Sequence, residues 1–308
     1  MGRFEYIDRP GCVCGSELGG GGFKITRKFA WGEVTFIRCP QCGSMIQSPQ
    51  ITTRSLASWY DSPEYHAGQG RSGGAYLDYL AGEKHRRIEA AGRYERDLAG
   101  RMAPGSRILE VGCATGSLLS VLRDRGHQVV GVDLSTHFVA QARRLYDLDV
   151  RAGDLLAVDL PEAAFHLIVM LGTISNLQDL PAHLARVHQL LRPGGLLFFN
   201  MPEARSLPAR IYGKNFWMYA PSVSSFMTIL GAGLALGRAG FQVERCRVDF
   251  QEPTLTKLLG HARLHRLYPI LGRLGLDSMR LPFPMPIPGV LAVWAVKKGP
   301  ALIGHRLI

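Results

Sequence analysis

The sequence predicts an α/β fold in which a mostly parallel sheet is flanked by helices on both faces. Short apolar runs alternate with segments of helical spacing along most of the chain, which is typical of strands joined by crossover helices. A glycine-bearing turn at 112–116 separates the first well-defined strand from a helix. The length of 308 residues, of which 46% are hydrophobic and 20% charged, is enough for one sizeable core and a small appended module.

The apolar runs predict the strands, and the stretches with polar spacing predict the helices. Strands are expected at 107–111, 128–132, 148–151, 165–170, 194–200, 241–249 and 289–297. Helices are expected at 77–99, 117–125, 136–146, 180–191 and 223–239. Ligands of such sheets lie at the carboxyl ends of the strands, so the residues that follow each strand are the candidates for a site.

Residues 107–135 form one strand–helix–strand unit with the features of a nucleoside-binding site. Gly112 and Gly116 allow the chain to turn tightly after the strand and to approach a ligand closely. The helix that opens at Ser117 points unpaired N–H groups toward anionic atoms. Asp133, which follows the second strand, can accept hydrogen bonds from both hydroxyls of a ribose. A nicotinamide dinucleotide is disfavoured, because its G-x-G-x-x-G fingerprint needs glycine where this chain has alanine and serine.

A more specific motif lies at the end of the first strand. It is an acidic residue followed by small residues at every second position: Glu110, Gly112, Ala114 and Gly116. Here the chain resembles the class I S-adenosylmethionine-dependent methyltransferases, whose first motif is acid-x-Gly-x-Gly-x-Gly, with Ala114 in place of the middle glycine. The resemblance continues in order through Val132-Asp133-Leu134-Ser135, Gly153-Asp154-Leu155 and Leu191-Arg192-Pro193-Gly194-Gly195. It implies a Rossmann-like sheet of seven strands that binds S-adenosylmethionine.

The resemblance also assigns roles to particular positions. It implies that Asp133 binds the ribose and that Asp154 lies at the adenine edge. The predicted cofactor-binding residues are Glu110, Gly112, Ala114, Gly116, Asp133, Leu134, Asp154, Leu155, Leu171, Tyr60 and Tyr65. The two tyrosines are included because a segment with spaced tyrosines closes over the cofactor in the families that this chain resembles. Ordinary packing of these aromatic side chains is an equal alternative.

Four of the six cysteines cluster near the N-terminus and predict a metal site. Cys39 and Cys42 form a knuckle in which two thiolates on a tight turn can reach one tetrahedral zinc ion. Cys12 and Cys14 are less regular, since only one residue separates them. The alternatives to structural zinc are a metal-free or partly liganded remnant and a redox pair.

The chain therefore divides into four predicted parts. Residues 1–50 are a zinc-ribbon-like module and 51–76 a linker or lid. Residues 77–299 are the methyltransferase domain, with a helical insertion at about 251–287, and 300–308 are a tail.

Residues after the fourth strand and in the loop after the fifth are candidates for the acceptor pocket. They are Ser175, Asn176, Tyr212, Lys214, Asn215, Trp217 and Tyr219. In similar methyltransferases a histidine often stands at the place of Asn176, so the sequence leaves a general base unidentified. An anchored surface loop is an equal alternative for 212–219.

The formal net charge of +11 indicates either an anionic partner or a basic face in contact with solvent. The basic, leucine-rich insertion at 255–280 is compatible with a peripheral membrane contact or an acidic substrate, but a solvated basic face is favoured. No apolar run reaches the length of a membrane span, and no segment has signal-peptide form, so a cytoplasmic location is expected.

The resemblance implies transfer of a methyl group to oxygen or carbon of a small-molecule biosynthetic intermediate, such as a sugar or a polyketide. Two other functions remain open. One is a nucleic-acid methyltransferase, which is disfavoured because no Asn-Pro-Pro-aromatic motif follows the fourth strand to receive a flipped base. The other is a non-catalytic scaffold of the same fold that binds the cofactor. The oligomeric state is not predicted.

Overall fold

The computed structural model describes residues 4–8, 11–19, 22–29, 32–66, 83–216, 218–251, 268–276, 279 and 285–298. The first strands are short: β1 (Tyr6–Ile7), β2 (Lys24–Phe29), β3 (Gly32–Arg38), β4 (Met45–Gln47) and β5 (Gln50–Ile51). β1 pairs with β5, while β2, β3 and β4 form an antiparallel meander. Val34 and Phe36 alternate with more exposed residues along β3 and face a small aromatic core.

The central sheet has seven strands. They are β6 (Arg107–Val111), β7 (Gln128–Asp133), β8 (Val150–Ala152), β9 (Phe165–Met170), β10 (Leu191–Pro202), β12 (Phe241–Gln251) and β13 (Met285–Lys297). Their order is β12-β13-β10-β9-β6-β7-β8. β13 runs antiparallel to both of its neighbours, and the remaining pairs are parallel. The predicted Rossmann-like, mostly parallel sheet of seven strands is confirmed.

The middle strands read as continuous apolar runs because both of their faces are covered. Ile108 and Leu109 of β6 and Leu167, Ile168 and Val169 of β9 are fully buried. The carboxyl ends of β6, β7 and β9 therefore lie side by side at one edge, where the predicted cofactor turn begins.

The helices begin where side chains can cap them. They are α1 (Thr53–Tyr60), α2 (Pro63–His66), α3 (Glu83–Arg93), α4 (Ser117–Asp124), α5 (Thr136–Tyr146), α6 (Leu180–Leu190), α7 (Leu207–Tyr212) and α8 (Ile229–Arg238). A π-helical turn at Tyr94–Leu98 continues α3, and a further helix spans Tyr268–Arg273. Ser135 caps α5 and Thr228 caps α8, each accepting a backbone N–H three residues on.

One predicted helix begins later than its pattern indicated. The helix expected at 223–239 starts at Ile229, and the residues before it form a strand, β11 (Ser225–Phe226). β11 pairs antiparallel with β4, so that a strand from the second half of the chain becomes the fourth strand of the N-terminal sheet. Pairing with the open edge of β4 satisfies the backbone hydrogen-bonding groups of both strands. The spacing of residues in the sequence does not indicate this distant partner.

None of the helices in the described ranges combines the length and the apolar composition that a membrane crossing requires. Most of the predicted insertion at 251–287, the tail at 300–308 and part of the predicted lid segment lie outside the described residues.

Candidate active site

The turn after β6 is shaped by residues at positive φ. Gly112, Ala114 and Gly116 have φ values of 75°, 46° and 78°. A Cβ atom on Gly112 would overlap the side chain of Thr173, with the threonine Cγ2 at only 2.8 Å. A Cβ atom on Gly116 would lie 2.5 Å from Leu148 Cδ1. The turn is therefore held tightly between β7, α5 and the loop that follows β9.

Asp133 lies at the carboxyl end of β7 and faces this turn. Its Oδ2 accepts the N–H of Ala114 at 2.8 Å, and its Oδ1 accepts the N–H of Ser135 at 2.9 Å. Burial raises the pKa of Asp133 to about 6, although these two hydrogen bonds act in the opposite direction. The backbone N–H groups of Ala114 and Ser135 therefore hold the carboxylate in one orientation.

Glu110 points from β6 into the same region and is 5% exposed. Burial, and then the charge of Asp133, raise the pKa of Glu110 well above its ordinary value. Its Oε2 has no hydrogen-bond partner within the described residues. A glycine cradle beside a buried carboxyl with one unpaired oxygen fits a cofactor that carries both a nucleoside and positive charge, as S-adenosylmethionine does.

Asp154 lies just beyond β8, beside the buried Leu155. His183 Nε2 lies 3.0 Å from Asp154 Oδ1, and the N–H of Leu156 donates to the same oxygen at 2.8 Å. The pKa of Asp154 is lowered, because these hydrogen bonds outweigh the effect of burial. His183, on α6, was missed in the sequence because 29 positions separate it from Asp154.

The C-terminal end of α1 reaches the same edge of the sheet. Asp61 accepts hydrogen bonds from Ser135 Oγ at 2.6 Å, from Thr136 Oγ1 at 2.7 Å and from the N–H of His137 at 3.2 Å. These donors stand at the N-terminus of α5, where an anion is stabilised by unpaired N–H groups. Burial raises the pKa of Asp61, but the hydrogen bonds outweigh it and the pKa is lowered.

The two tyrosines predicted for the lid lie next to this anchor. Tyr60 and Tyr65 pack at 5.0 Å between ring centroids, and Tyr65 also contacts Phe138 of α5 at 6.1 Å. The Tyr60 hydroxyl accepts from Asn176 Nδ2 at 3.4 Å. The segment therefore touches both the N-terminal part of α5 and the loop after β9. Asp61 is the anchoring residue that the aromatic pattern did not reveal.

Glu83, the first residue of α3, joins that helix to the glycine turn. Its carboxylate accepts hydrogen bonds from Thr115 Oγ1 and Ser117 Oγ, both at 2.5 Å, and from the Tyr146 hydroxyl at 2.8 Å. Arg86 forms an ion pair with it at 2.7 Å. The pKa of Glu83 is lowered, since these contacts outweigh its burial. Apart from Arg86, these partners lie more than 30 positions away, so no local pattern indicated the network.

A buried ion pair supports the opposite side of the site. Arg93 of α3 donates to Asp249 of β12 at 2.6 and 3.1 Å. Asp249 also accepts from Asn200 Nδ2 at 2.8 Å, and Asn200 Oδ1 accepts the N–H of Gly172 at 2.6 Å. Asp249 is completely buried. The network fixes the start of the acceptor loop, the name used here for residues 171–178, and no sequence motif predicted it.

The predicted acceptor residues occupy three environments. Ser175 is buried and Asn176 half-buried within the acceptor loop, which begins with the half-buried Leu171. Tyr212 at the end of α7 is exposed, and so are Lys214 and Asn215 in the turn that follows. Trp217 lies outside the described residues.

Tyr219 lies in the aromatic core below the N-terminal sheet. Its ring packs against Phe226 at 4.7 Å, Phe36 at 5.0 Å and Phe216 at 5.8 Å. It is only 4% exposed, and its burial raises the pKa of its hydroxyl. Ser175 and Asn176 belong to the loop whose Thr173 packs against Gly112, whereas Tyr219 is surrounded by packing contacts.

The four N-terminal cysteines converge on one point. The Sγ atoms of Cys12, Cys14, Cys39 and Cys42 all lie within 4.8 Å of one another, and all four residues are buried. The Sγ atoms of Cys12 and Cys42 are 3.5 Å apart, and those of Cys14 and Cys39 are 3.7 Å apart. A tetrahedral zinc ion with ligands at about 2.3 Å places its sulfurs about 3.8 Å apart, so the donor set fits this metal.

The local electrostatics differ between the sulfurs. A hydrogen bond from Cys12 lowers the pKa of Cys42, whereas the same hydrogen bond and burial raise the pKa of Cys12. The hydroxyls of Ser16 and Ser44 lie within 3.2 Å of the sulfurs of Cys14 and Cys42. Hydroxyl groups around a thiolate are typical of the outer sphere of a metal site.

Comparison with known proteins agrees with this geometry. A family profile described as a methyltransferase domain matches residues 83–245, which is a little more than half of the chain. A malonyl-(acyl-carrier protein) O-methyltransferase from Serratia marcescens is 33% identical over 126 residues, covering 39% of this chain and 49% of that protein. An enzyme of the same name from Enterobacter lignolyticus is 29% identical over 189 residues, covering 58% of this chain and 75% of that protein. The chain thus spans about half the length of the Serratia relative.

A solved structure shows the same fold. It is that of the magnesium protoporphyrin IX methyltransferase from Synechocystis PCC 6803 with bound SAH. The two superpose with a TM-score of 0.52 at 14% identity, over 80% of this chain and all of that one. By its sequence match and its seven-stranded sheet, the chain belongs to the S-adenosylmethionine-dependent methyltransferases of class I fold.

Proposed function

We propose that this protein transfers the methyl group of S-adenosylmethionine to an oxygen or carbon atom of a small-molecule biosynthetic intermediate. The observation that carries the proposal is the joint placement of Asp133, Glu110 and the Gly112–Gly116 turn beside the acceptor loop. The names of its relatives support a small molecule, since those relatives methylate oxygen atoms of carrier-bound or quinone intermediates. A cytoplasmic location remains a prediction.

In the proposed reaction the side chains bind and orient more than they react. The bound sulfonium supplies a methyl group that already has a good leaving group, so alignment and exclusion of water can provide most of the rate. Asp133 holds the ribose, and Asp154 with Leu155 borders the adenine. The glycine turn lets the protein backbone approach the cofactor closely. Tyr60 and Tyr65, anchored through Asp61, cover the cleft from the side of α1.

Asn176 narrows the class of acceptor that we propose. Its amide donates to the carbonyl of Gly172 at 3.1 Å and to the Tyr60 hydroxyl, so it braces the acceptor loop. An amide cannot take up a proton at neutral pH. The residue that often supplies a base in similar enzymes is thus replaced by a neutral group, and this favours acceptors that arrive ionised, such as carboxylates, phenolates or stabilised carbanions.

We further propose that Cys12, Cys14, Cys39 and Cys42 hold a structural zinc ion. The short spacing between Cys12 and Cys14 does not prevent convergence, because the chain turns back at Gly15, whose N–H bonds to the carbonyl of Cys12 at 2.8 Å. All four tetrahedral positions would be filled by sulfur, which is the pattern of a structural and not a catalytic site.

The ionisation of Asp133 predicts how cofactor binding depends on pH. The ribose hydroxyls donate to the charged carboxylate, and its pKa of about 6 means that protons compete with them below that pH. The affinity for S-adenosylhomocysteine should be constant above pH 7 and fall by up to about tenfold per pH unit below 6. Asp133→Asn should bind at least about tenfold more weakly at pH 7.5 and should lose the pH dependence. A wild-type affinity that stays flat down to pH 5 would contradict the role of Asp133.

The acceptor class can be tested with S-adenosylmethionine labelled in the methyl group. The purified protein is incubated with a panel of small carboxylic acids and phenols and, in parallel, with RNA and DNA. We expect label in the small-molecule fraction, and we expect none in nucleic acid. Label that enters nucleic acid alone would overturn the proposal in favour of a nucleic-acid methyltransferase.

A further inference from the structure

The cysteine cluster is docked directly on the N-terminus of α8. Thr228 Oγ1 donates to the carbonyl of Cys42 at 2.7 Å, and the N–H of Thr228 donates to Ser44 Oγ at 3.1 Å. The contact is close enough that a Cβ atom on Gly231 would overlap Ser44 Oγ and lie 3.2 Å from Cys42 Sγ. The cluster is therefore in contact with the catalytic half of the chain.

β4, which follows Cys42 by three residues, carries this contact onward. Its backbone pairs with β11, with Ile46 opposite Ser225 and Met45 opposite Phe226. Gln47, only 1% exposed, donates through Nε2 to the carbonyls of Pro221 and Val223 at 3.0 and 3.1 Å. The backbone N–H of Gln47 donates to the carbonyl of Ser224 at 2.8 Å. The segment before α8 is thus clamped by one buried glutamine.

Ser224 then holds the acceptor loop. Its N–H donates to the carbonyl of Ser175 at 2.8 Å, and its hydroxyl donates to the carbonyl of Asn176 at 3.3 Å. Gln178 Nε2 donates to Ser224 Oγ at 3.2 Å and to the same Asn176 carbonyl at 3.0 Å. The chain from Cys42 to Gln47 and two hydrogen-bonded steps, from Gln47 to residues 221–224 and from Ser224 to the loop, therefore join the cysteine cluster to the two loop residues predicted to face the acceptor.

We propose that Gln47 and Ser224 are positioning residues for the methyl acceptor, and that metal loading of the cysteine cluster orders the acceptor loop through them. The inference rests on the proposed function, because it takes the acceptor loop to be where the acceptor binds. The geometry assigns the cofactor turn to a different support, since Glu83 of α3 holds that turn through Thr115 and Ser117. Loss of the metal should therefore loosen the acceptor loop more than it weakens cofactor binding.

The first test compares amide hydrogen exchange of zinc-loaded and chelated protein by mass spectrometry. We expect about one zinc per chain, and after chelation about tenfold faster exchange in peptides that cover 172–180, as expected for the loss of one to two net hydrogen bonds. Peptides that cover 107–117 should change little. Equal exchange of the loop with and without zinc, or a purified protein that binds no zinc, would overturn the metal-dependent part.

The second test uses variants, so that it remains valid even where chelation unfolds the protein. The control for each variant is the same substitution at the neighbouring position or on the neighbouring strand. Ser224→Ala should speed exchange at 172–180 about tenfold, whereas Ser225→Ala should not, because the buried Ser225 hydroxyl has no hydrogen-bond partner in the described part of the chain. Gln47→Ala should act like Ser224→Ala, and Gln50→Ala, an equally sized change on β5, should not. Identical exchange in both members of each pair would overturn the positioning role.

Binding of S-adenosylhomocysteine separates this inference from the proposed function. Every variant should keep its affinity within about threefold, because none touches the cofactor turn. If wild type fails to bind, the proposed function fails first. If wild type binds and the loop is insensitive to Ser224→Ala, only the positioning inference fails.

Discussion

Arg93→Met is expected to lower the free energy of unfolding by about 3–5 kcal/mol, because it leaves the buried carboxylate of Asp249 without its cation. Asp97 also loses one ion pair but keeps those with Arg96 and Arg247. Asp249 and Asp97 are both buried, and Arg93 forms ion pairs with them at 2.6 and 3.3 Å. Arg93 also braces Asn200 through Asp249, so the start of the acceptor loop should loosen as well. Urea denaturation followed by circular dichroism measures the change.

The control for this prediction is a double-mutant cycle. Asp249→Asn alone leaves the arginine less well paired, whereas Arg93→Met with Asp249→Asn removes the unpaired charge at that position. The double variant should be less destabilised than the sum of the two single variants. Strict additivity, or a loss below about 1 kcal/mol for Arg93→Met, would show that the ion pair is not the support described here.

Gly112→Ala is expected to destabilise the protein by about 2–5 kcal/mol and to abolish measurable cofactor binding. The new Cβ atom meets two separate obstacles, a backbone at φ 75° and the side chain of Thr173. The left-handed backbone alone costs about 1–2 kcal/mol for a residue with a Cβ atom, and overpacking adds about 1–3 kcal/mol. Relief of the overlap would move either the turn or the acceptor loop, and both border the proposed cofactor site.

Gly105→Ala separates these two causes. Gly105 has φ 74°, almost the same as Gly112, but nothing lies within 4 Å of the Cβ position. Gly105→Ala should be destabilised only by the cost of the left-handed backbone, and it should bind S-adenosylhomocysteine normally. Equal losses of stability and of binding in the two variants would mean that the contact with Thr173 does not shape the site.

The parts of this molecule that follow local patterns could be predicted from the sequence. The middle strands of the central sheet are apolar runs. The glycine turn with Asp133 is a motif whose residues meet because parallel strands end at one edge. Convergence of the four cysteines likewise followed from their clustering. In each case the residues are close in sequence, or a regular sheet brings them together.

The remainder depends on contacts between distant segments. Glu83 meets Thr115 and Ser117, and Arg93 meets Asp249 across more than 150 positions. Such charged residues look like ordinary solvated positions on a helix until the fold buries them. The strand at Ser225–Phe226 was taken for the beginning of a helix because only the edge of β4, 180 residues earlier, makes an extended conformation favourable there.

Calorimetric titration with S-adenosylhomocysteine, with NADH as the competing control, tests the central claim most directly. The account predicts binding of S-adenosylhomocysteine in the micromolar range and no binding of NADH, and it predicts loss of that binding in Gly112→Ala but not in Gly105→Ala. Binding of neither ligand to folded, zinc-loaded protein would contradict the cofactor site itself. Binding of NADH instead would assign the glycine turn to a dinucleotide.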